Sequence, residues 1–225
     1  MTVNSTKAEP SKWAVVTDFD GTVTLKDVSD DLLLHFKITD KETIEKAYAP
    51  SVNVEKWMEA YYRLVKISRR RIEDRVRAAS RLRAGFGELR DFCENRRIPL
   101  EIVSGGLDLY IECLLKHWRL KVNYYCARTR FTPAGILVNY PFLKRTTLEL
   151  FKARRVEYYH SRGCKVLFCG DGTSDLKAAR LADAVFATKK LRDFCLGQGV
   201  RHRRLKNFFT VRDFIEKNIT ARDGK

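Results

Sequence analysis

The chain has 225 residues, of which 44% are hydrophobic and 11% aromatic, a composition that excludes an intrinsically disordered protein. Its formal net charge of +16 favours anionic partners, and because no nucleic-acid-binding motif accompanies the charge, we favour small anionic substrates over a polynucleotide. Residues 1–12 lack the apolar core of a signal peptide and no apolar run reaches the length of a membrane span, so we expect a cytoplasmic protein without membrane contact.

The first predicted element is a buried strand in the segment WAVVTDFDGTVT, residues 13–24. Its apolar run leads directly into two carboxylates, Asp18 and Asp20. Like charges at this spacing repel, so the pair requires a cation or a shared proton nearby. Side chains two positions apart on a strand share a face, and we therefore expect both aspartates to point into one site.

Helical periodicity dominates the next segment, roughly residues 28–84. The stretch VEKWMEAYYRLVKI repeats apolar residues at helical spacing, as an amphipathic helix requires. The following stretch, ISRRRIEDRVRAASRLRAGF, predicts a basic helix with a thin apolar stripe. We interpret the basic residues as a solvated face, and the sequence leaves open whether they also overhang an anion site.

From about Phe86 helices and strands alternate along the chain. In order, the pattern predicts a helix (FGELRDFCENRR), a strand (IPLEIVSGG), a helix (LDLYIECLLKHW), a strand (KVNYYCAR), a hairpin (RFTPAGILVNYPF), a helix (LKRTTLELFKARRVEYYH), a strand (KVLFCGDG), a helix (TSDLKAARLA) and a short strand (DAVFAT). Such alternation indicates βαβ units and a parallel sheet. The predicted fold is α/β, with a core of residues 10–26 and 85–225 and a helical insertion of residues 27–84.

Polar residues or glycines follow three of the predicted strands. The three segments are Asp18 to Thr22, Ser104 to Gly106 after LEIV, and Gly170 to Asp175 after KVLFC. Ligands of parallel sheets gather at the carboxyl ends of the strands, so these segments are expected to form one site.

The residue types in these segments indicate the chemistry of that site. Converging carboxylates from Asp18, Asp20 and Asp171 favour a hard divalent cation, and Mg²⁺ fits oxygen ligands best. Ser104 and the glycine amides after it can bind phosphate oxygens. An alternative role for Ser104 is that of a helix N-cap, and the two roles can coexist.

Together the motifs resemble a known family. DFDGTVT, VSGG, a following lysine and GDGTSD look like the four motifs of the haloacid dehalogenase superfamily of phosphohydrolases, over nearly the whole chain. The resemblance implies a Rossmann-like (HAD-like) parallel sheet flanked by helices, with residues 27–84 similar to the superfamily's type 1 cap. The chain is most similar to the phosphoserine-phosphatase-like branch. Within it, IPLEIVSGGLDLYI and GDGTSDLKAARLADAVFA look most like the methionine-salvage phosphatases of 2-hydroxy-3-keto-5-methylthiopentenyl-1-phosphate.

The resemblance also implies roles for the acidic residues. Asp18 would be the nucleophile that forms an aspartyl-phosphate, and Asp20 would act as general acid and then general base. Mg²⁺ would be held by Asp18, the Asp20 carbonyl and Asp171. Asp175 would orient the metal site or the lysine; as an alternative, it is a first-turn acid favoured by the helix dipole.

Phosphate and substrate contacts follow from the same resemblance. Ser104 and Gly105 would bind the phosphoryl group. Lys144, which opens the predicted helix after NYPFL, is the preferred active-site lysine, and Lys152 in mid-helix is the alternative. Asp27 stands where phosphoserine phosphatases typically have a glutamate, seven residues after the second aspartate, and this substrate-binding position counts against phosphoserine.

The predicted function is Mg²⁺-dependent hydrolysis of a small phosphorylated metabolite. A phosphoserine phosphatase and a phosphotransferase that hands the phosphoryl group to an alcohol are alternative enzymes. A nucleic-acid-binding or polynucleotide-end-processing protein is an alternative of another class, motivated by the charge of +16. We expect no specific nucleic-acid binding, and the sequence leaves the oligomeric state open, a homodimer included.

Overall fold

The computed structural model describes residues 13–49 and 51–223, and side chains up to residue 219. The amino-terminal segment 1–12, with the predicted start of the core at residue 10, lies outside the described residues. Within the described ranges, no helix combines the length and the apolarity that crossing a membrane demands.

Within the described residues, seven strands form a single sheet in the order β4-β3-β2-β1-β5-β6-β7. Neighbouring strands run parallel, apart from the antiparallel hairpin of β3 and β4. The predicted α/β class, the parallel sheet and the hairpin are confirmed. The strands are β1 (Trp13–Thr17), β2 (Leu100–Leu107), β3 (Asn123–Thr132), β4 (Gly135–Asn139), β5 (Lys165–Gly170), β6 (Ala184–Ala187) and β7 (Arg203–Arg204).

Helices cover both faces of the sheet and fill the insertion after β1. The insertion carries α1 (Val28–His35), α2 (Lys41–Ala47), α3 (Val54–Tyr62) and α4 (Arg69–Ala79). The remaining helices are α5 (Phe86–Asn95), α6 (Asp108–His117), α7 (Leu148–His160), α8 (Leu176–Leu181), α9 (Lys189–Gly197) and α10 (Phe209–Asp223), and a 3₁₀ turn, Thr173–Asp175, precedes α8. We refer to residues 27–84 as the inserted segment.

The core sits on both faces of the central strand β1. Trp13 and Val15 belong to one cluster of buried apolar side chains, and Ala14 and Val16 belong to the other. A strand buried on both faces is continuously apolar, which is why β1 shows no polar alternation. The carboxyl end of β1 therefore emerges in the middle of the molecule.

Two predicted helices are shorter in the structure than their sequence patterns indicated. The helix predicted from residue 143 begins at Leu148, because Lys144 and Arg145 adopt left-handed backbone with φ of 44° and 70°. The basic helix predicted over residues 67–86 ends at Ala79. The chain then turns back so that Leu82 forms an antiparallel bridge with Thr24. The elements after Thr188 were not predicted.

Arg83, just after this bridge, fixes the loop that follows β1. Its buried guanidinium donates hydrogen bonds to the carbonyl oxygens of Thr22 at 2.6 Å and Gly21 at 2.7 Å. Its own backbone N–H donates to the carbonyl oxygen of Val23 at 2.8 Å. These contacts hold the glycine and threonine that follow the two aspartates.

We predict that Arg83→Met lowers the free energy of unfolding by about 2–4 kcal/mol, because two buried carbonyls lose charge-assisted hydrogen bonds. Arg81→Met is the matched control. The Arg81 guanidinium is exposed and, among the described residues, donates only to the carbonyl oxygens of Ala78 and Ser80, at the carboxyl end of α4. Urea denaturation followed by circular dichroism measures both variants. Equal stability of the two variants would contradict the role of Arg83 in holding the loop after β1.

Candidate active site

The two aspartates of the first motif lie in the loop after β1, since the strand ends at Thr17. The expectation that strand alternation aligns their side chains was therefore wrong. Both side chains nevertheless line one pocket together with Asp171, Asp175 and Ser104. The loop, rather than the strand, brings them together.

Gly21 allows this loop to approach the strand end that carries Asp171. Its φ is +68°, a backbone conformation that side chains rarely adopt. A Cβ atom at this position would lie 2.1 Å from Asp171 Oδ2 and 2.1 Å from Lys189 Nζ. Both the backbone conformation and the space therefore require glycine.

Three buried carboxylates form a cluster at the floor of the pocket. Asp18, Asp171 and Asp175 each offer an oxygen within 4.8 Å of the others. Oxygen donors at this spacing fit a hard divalent cation such as Mg²⁺. The Asp20 carboxylate, which was expected to converge with those of Asp18 and Asp171, is not part of this cluster.

Lys152 lies between two of these carboxylates. Its Nζ donates to Asp18 Oδ1 at 2.7 Å and to Asp175 Oδ1 at 2.6 Å, and its side chain is 1% exposed. Lys144 is exposed in the turn before α7 and does not line the pocket. The structure therefore places the alternative lysine, Lys152, beside the carboxylates and leaves Lys144 outside: α7 starts five residues later than predicted, and its first turns carry Lys152.

Burial dominates the titration of this cluster. It raises the pKa of Asp18 to about 8, although the Lys152 ammonium works in the opposite direction. It raises the pKa of Asp171 to about 6, while Lys189, whose Nζ lies 2.9 Å from Asp171 Oδ2, lowers it. Burial opposes the charge of Lys152, yet Asp175 and Asp18 outweigh it and raise the lysine pKa. The cluster therefore favours additional positive charge.

Asp175 uses both carboxylate oxygens within the site. One oxygen accepts from Lys152, and the other accepts the backbone N–H groups of Asp171 at 2.9 Å and Gly172 at 3.0 Å. It thereby fixes the turn that presents Asp171 and orients the lysine as well. Both roles considered from the sequence are compatible with these contacts.

Asp20 sits against a different set of partners. Its Oδ1 accepts the backbone N–H of Val28 at 3.0 Å, and its Oδ2 accepts the Tyr110 hydroxyl at 2.8 Å. Burial, then the charges of Asp27 and Asp18, raise the pKa of Asp20 well above its usual range. A carboxyl in this state can hold a proton and give it up. Tyr110 was not identified from the sequence.

Ser104 lies inside β2 rather than at a helix start, because α6 begins at Asp108. Within the described residues, the ladders of β2 with its neighbours leave residues 104–106 unpaired. Ser104 Oγ accepts the Gly106 N–H at 2.9 Å. A Cβ atom at Gly106 would lie 2.4 Å from Asp20 Oδ2, so the glycine lets this backbone reach the pocket.

The inserted segment supplies the roof of the pocket. Asp27 caps α1 by accepting the Asp30 N–H at 2.9 Å, and the Tyr48 hydroxyl donates to Asp30 Oδ2 at 2.5 Å and Asp27 Oδ2 at 3.3 Å. Burial, then Asp30, raise the pKa of Asp27 to about 7. Val54 and Trp57 add apolar surface, with Met58. Of these residues, only Asp27 was predicted from the sequence to lie at the site. The spacing of three residues between Asp27 and Asp30, which places them on one face of a helix, could have identified Asp30 as well.

Glu55 joins the inserted segment to the helix that carries Lys152. Its buried carboxylate accepts the backbone N–H of Leu148, the first residue of α7, at 2.5 Å. The pocket beneath has a cavity volume of about 100 Å³. This is below the roughly 300–1,000 Å³ of typical ligand pockets, so the space under the inserted segment is small.

Comparison with protein families identifies one match over most of the chain. Residues 15–180 match the model of the haloacid dehalogenase-like hydrolases. A protein of Geobacillus kaustophilus (strain HTA426) named 2-hydroxy-3-keto-5-methylthiopentenyl-1-phosphate phosphatase is 29% identical over 212 residues, covering 89% of this chain and 94% of that protein. A protein of the same name from Bacillus mycoides (strain KBAB4) is 26% identical over 206 residues, covering 88% and 93%.

Solved structures of similar fold include phosphoserine phosphatases. A substrate-bound phosphoserine phosphatase complex aligns with a TM-score of 0.72 at 17% identity, covering 92% of this chain and 99% of that chain. A phospho-aspartyl intermediate analogue of phosphoserine phosphatase aligns with a TM-score of 0.65 at 19% identity, covering 88% and 95%. At these identities the likeness concerns the fold.

We predict that Lys152→Met lowers the free energy of unfolding by about 3–5 kcal/mol at neutral pH, because it leaves buried carboxylates without their counter-charge. Lys144→Met, at an exposed turn position, is expected to stay within about 0.5 kcal/mol of the parent. Thermal unfolding in metal-free buffer compares the two. If the two variants have the same melting temperature, Lys152 does not stabilise the cluster of carboxylates.

Proposed function

The chain belongs to the haloacid dehalogenase-like hydrolase family and is a phosphatase of that family, and on this premise we propose that it hydrolyses a small phosphomonoester through a Mg²⁺-dependent aspartyl-phosphate mechanism. The observation that carries the proposal is the buried cluster of Asp18, Asp171 and Asp175 with Lys152 bonded to Asp18.

Asp18 is proposed as the nucleophile. Its carboxylate oxygen attacks phosphorus, the P–O bond to the alcohol breaks, and the phosphoryl group is held as an acyl phosphate. The bond from Lys152 Nζ to Asp18 Oδ1, 2.7 Å long, orients the carboxylate so that the other oxygen faces the substrate. The charge of Lys152 also stabilises the negative charge that gathers on the transferring group.

Asp20 is proposed as the proton donor and acceptor. Its raised pKa keeps a proton available for the departing alkoxide, and the resulting carboxylate then takes a proton from the water that attacks the aspartyl-phosphate. The hydrogen bonds from Tyr110 and Val28 hold the carboxyl in one orientation. Water is consumed, and the alcohol and phosphate are released.

The metal ion would be held by Asp18, Asp171 and the Asp20 carbonyl, with Asp175 orienting Asp171. When bound, Mg²⁺ supplies charge neutralisation for the phosphoryl oxygens and for the clustered carboxylates. Ser104 and Gly105, on the unpaired stretch of β2, are proposed to contact the phosphoryl oxygens.

Residues 27–84 are proposed to act as a cap that opens to admit substrate. A cavity of about 100 Å³ is smaller than the pockets that typically hold a metabolite, and movement of the roof would make room for the substrate. The names of the relatives support 2-hydroxy-3-keto-5-methylthiopentenyl-1-phosphate as the metabolite. Its uncharged, apolar tail suits the surface of Val54, Trp57 and Met58.

We predict that hydrolysis of p-nitrophenyl phosphate disappears after chelation and returns when Mg²⁺ is added, because the clustered carboxylates repel a phosphate dianion unless a cation intervenes. Asp18→Asn should abolish turnover even in saturating Mg²⁺, since the amide is close in shape but does not form the acyl phosphate. Phosphate release measures both effects, and circular dichroism shows whether the variant is folded. Full activity in excess chelator would contradict the metal assignment.

The two roles of Asp20 can be separated with Asp20→Asn. With p-nitrophenyl phosphate, whose leaving group needs no proton, we expect about one equivalent of phenol per site followed by a stall at the aspartyl-phosphate. With an alkyl phosphate, both half-reactions should slow by about 10²–10⁴-fold. Rapid mixing records the burst, and mass spectrometry locates phosphate on Asp18. Equal loss on both substrates without a burst would show that Asp20 only shapes the site.

A further inference from the structure

The stretch of β2 that is proposed to contact the phosphoryl group contains the only pair of adjacent glycines in the sequence, Gly105 and Gly106. The peptide bond between two glycines reorients easily, because neither residue carries a Cβ atom that would restrict its backbone. Within the described residues, the ladders with β1 and β3 do not hold this stretch. A backbone contact with phosphate at this place therefore depends on other bonds that fix the peptide.

Both polar groups of the Gly105–Gly106 peptide have such a bond. The Gly106 N–H donates to Ser104 Oγ at 2.9 Å, and the Gly105 carbonyl oxygen accepts the hydroxyl of Tyr140 at 2.8 Å. Because Ser104 Oγ accepts the N–H, its own proton can be donated to a phosphoryl oxygen. The second bond comes from outside β2, from a tyrosine 35 positions further along the chain.

Tyr140 reaches the glycines from behind the pocket wall. It is buried and does not line the pocket, whereas Gly105 and Gly106 do. Its bond therefore keeps the Gly105 carbonyl oxygen on the side that faces away from the pocket. If the peptide turned over, this oxygen would face the phosphoryl oxygens, and the negative charges of the two groups would repel each other.

The surroundings of Tyr140 keep its hydroxyl a donor. Burial, then the charges of Glu55 and Glu59, raise the pKa of Tyr140 well above its usual value, so the hydroxyl retains its proton. Pro141 follows directly and disfavours helical backbone at Tyr140. The hydroxyl is therefore available for the Gly105 carbonyl at neutral pH.

The ring of Tyr140 is held by neighbouring aromatic side chains. It packs edge to face with Phe142, with ring centroids 6.1 Å apart, and Phe142 packs in the same way with Phe151, with centroids 4.7 Å apart. Phe151 precedes Lys152 on α7. The tyrosine that fixes the glycines and the lysine that contacts Asp18 therefore share one aromatic support.

We propose that Tyr140 is a positioning residue for the phosphoryl group, whose hydroxyl holds the Gly105–Gly106 peptide in the orientation in which this backbone binds phosphoryl oxygens. The inference rests on the proposed phosphatase function and adds to it a residue outside the pocket. Every phosphomonoester presents the same phosphoryl group, so the contribution of Tyr140 is independent of the alcohol. The contribution of Asp20, by contrast, depends on the leaving group.

Tyr140→Phe tests this role, because it removes the hydroxyl and keeps the ring in the core. We expect kcat/KM to fall by about tenfold for p-nitrophenyl phosphate and for glycerol 2-phosphate alike, and the dissociation constant of inorganic phosphate to rise by a similar factor. Steady-state kinetics in saturating Mg²⁺ gives the first quantity, and titration calorimetry with inorganic phosphate in the same buffer gives the second.

Tyr159→Phe is the matched control. Tyr159 is also buried, and its hydroxyl donates to Glu101 Oε2 at 3.0 Å, where β2 is paired with β3 and β1. Neither Tyr159 nor Glu101 lines the pocket. This variant also loses one buried hydrogen bond, yet it should keep the parental kcat/KM and phosphate affinity. Circular dichroism and thermal melting compare the folding of both variants with that of the parent.

The outcomes distinguish the role of Tyr140 from the proposed function. Parental phosphate affinity in Tyr140→Phe would overturn the role of Tyr140, and so would an equal loss in Tyr159→Phe or a loss confined to one of the two esters. A parent that hydrolyses neither ester in Mg²⁺ would overturn the proposed function, while the calorimetric comparison of parent and Tyr140→Phe would still decide the role of Tyr140. A parent that also fails to bind phosphate would overturn both.

Discussion

Lys152, buried between Asp18 and Asp175, is the contact on which the arrangement of the site depends. Three carboxylates within 4.8 Å of one another in a buried region strongly favour protonation or separation. The lysine offsets part of that charge and adds directed hydrogen bonds to two of them. The buried ammonium is in turn stable only while both carboxylates stay in place. Asp18 follows β1, Asp175 follows β5 and Lys152 lies on α7, so these three elements fix one another.

The same helix joins the floor of the pocket to the roof. Glu55 of the inserted segment accepts the N–H of Leu148 at the start of α7, and Lys152 lies one turn further along. A Cβ atom at Gly105 would lie 2.7 Å from Leu148 and 3.3 Å from Val54, so this junction is also closely packed. The packing of the roof and the position of the lysine are therefore coupled through the first turn of α7.

The sequence predicted the aspartates of the floor because each follows an apolar strand in a parallel sheet, and that rule depends only on local pattern and topology. The choice of lysine failed because it depended on where α7 begins. Two residues before the helix, Lys144 and Arg145, adopt positive φ, which composition does not indicate, while Thr147 caps the helix by accepting the Leu150 N–H. Thr147 is a typical N-cap residue, and it could have indicated from the sequence that α7 begins at Leu148.

Other features could not be predicted because they come from contacts distant in sequence. Tyr110 reaches Asp20 across 90 positions, and Arg83 reaches Thr22 across 61. No periodicity in either segment specifies its partner. The two short elements after Thr188 and the long final helix carry weak patterns, and packing against the sheet decides them.

The charge of the chain and the charge of the pocket act at different ranges. A net charge of +16 attracts every phosphate ester, whatever its alcohol, and so raises encounter rates without discriminating among them. Discrimination among esters must come from short-range contacts with the alcohol, and the inserted segment is the part of the pocket wall proposed to make them. There, Asp27 and Asp30 are three positions apart at the start of α1, so that one helical turn presents both to the pocket, whereas Asp31 turns away to Arg75. A one-residue difference in helical phase thus separates a carboxylate that lines the pocket from one that pairs with Arg75 inside the insertion.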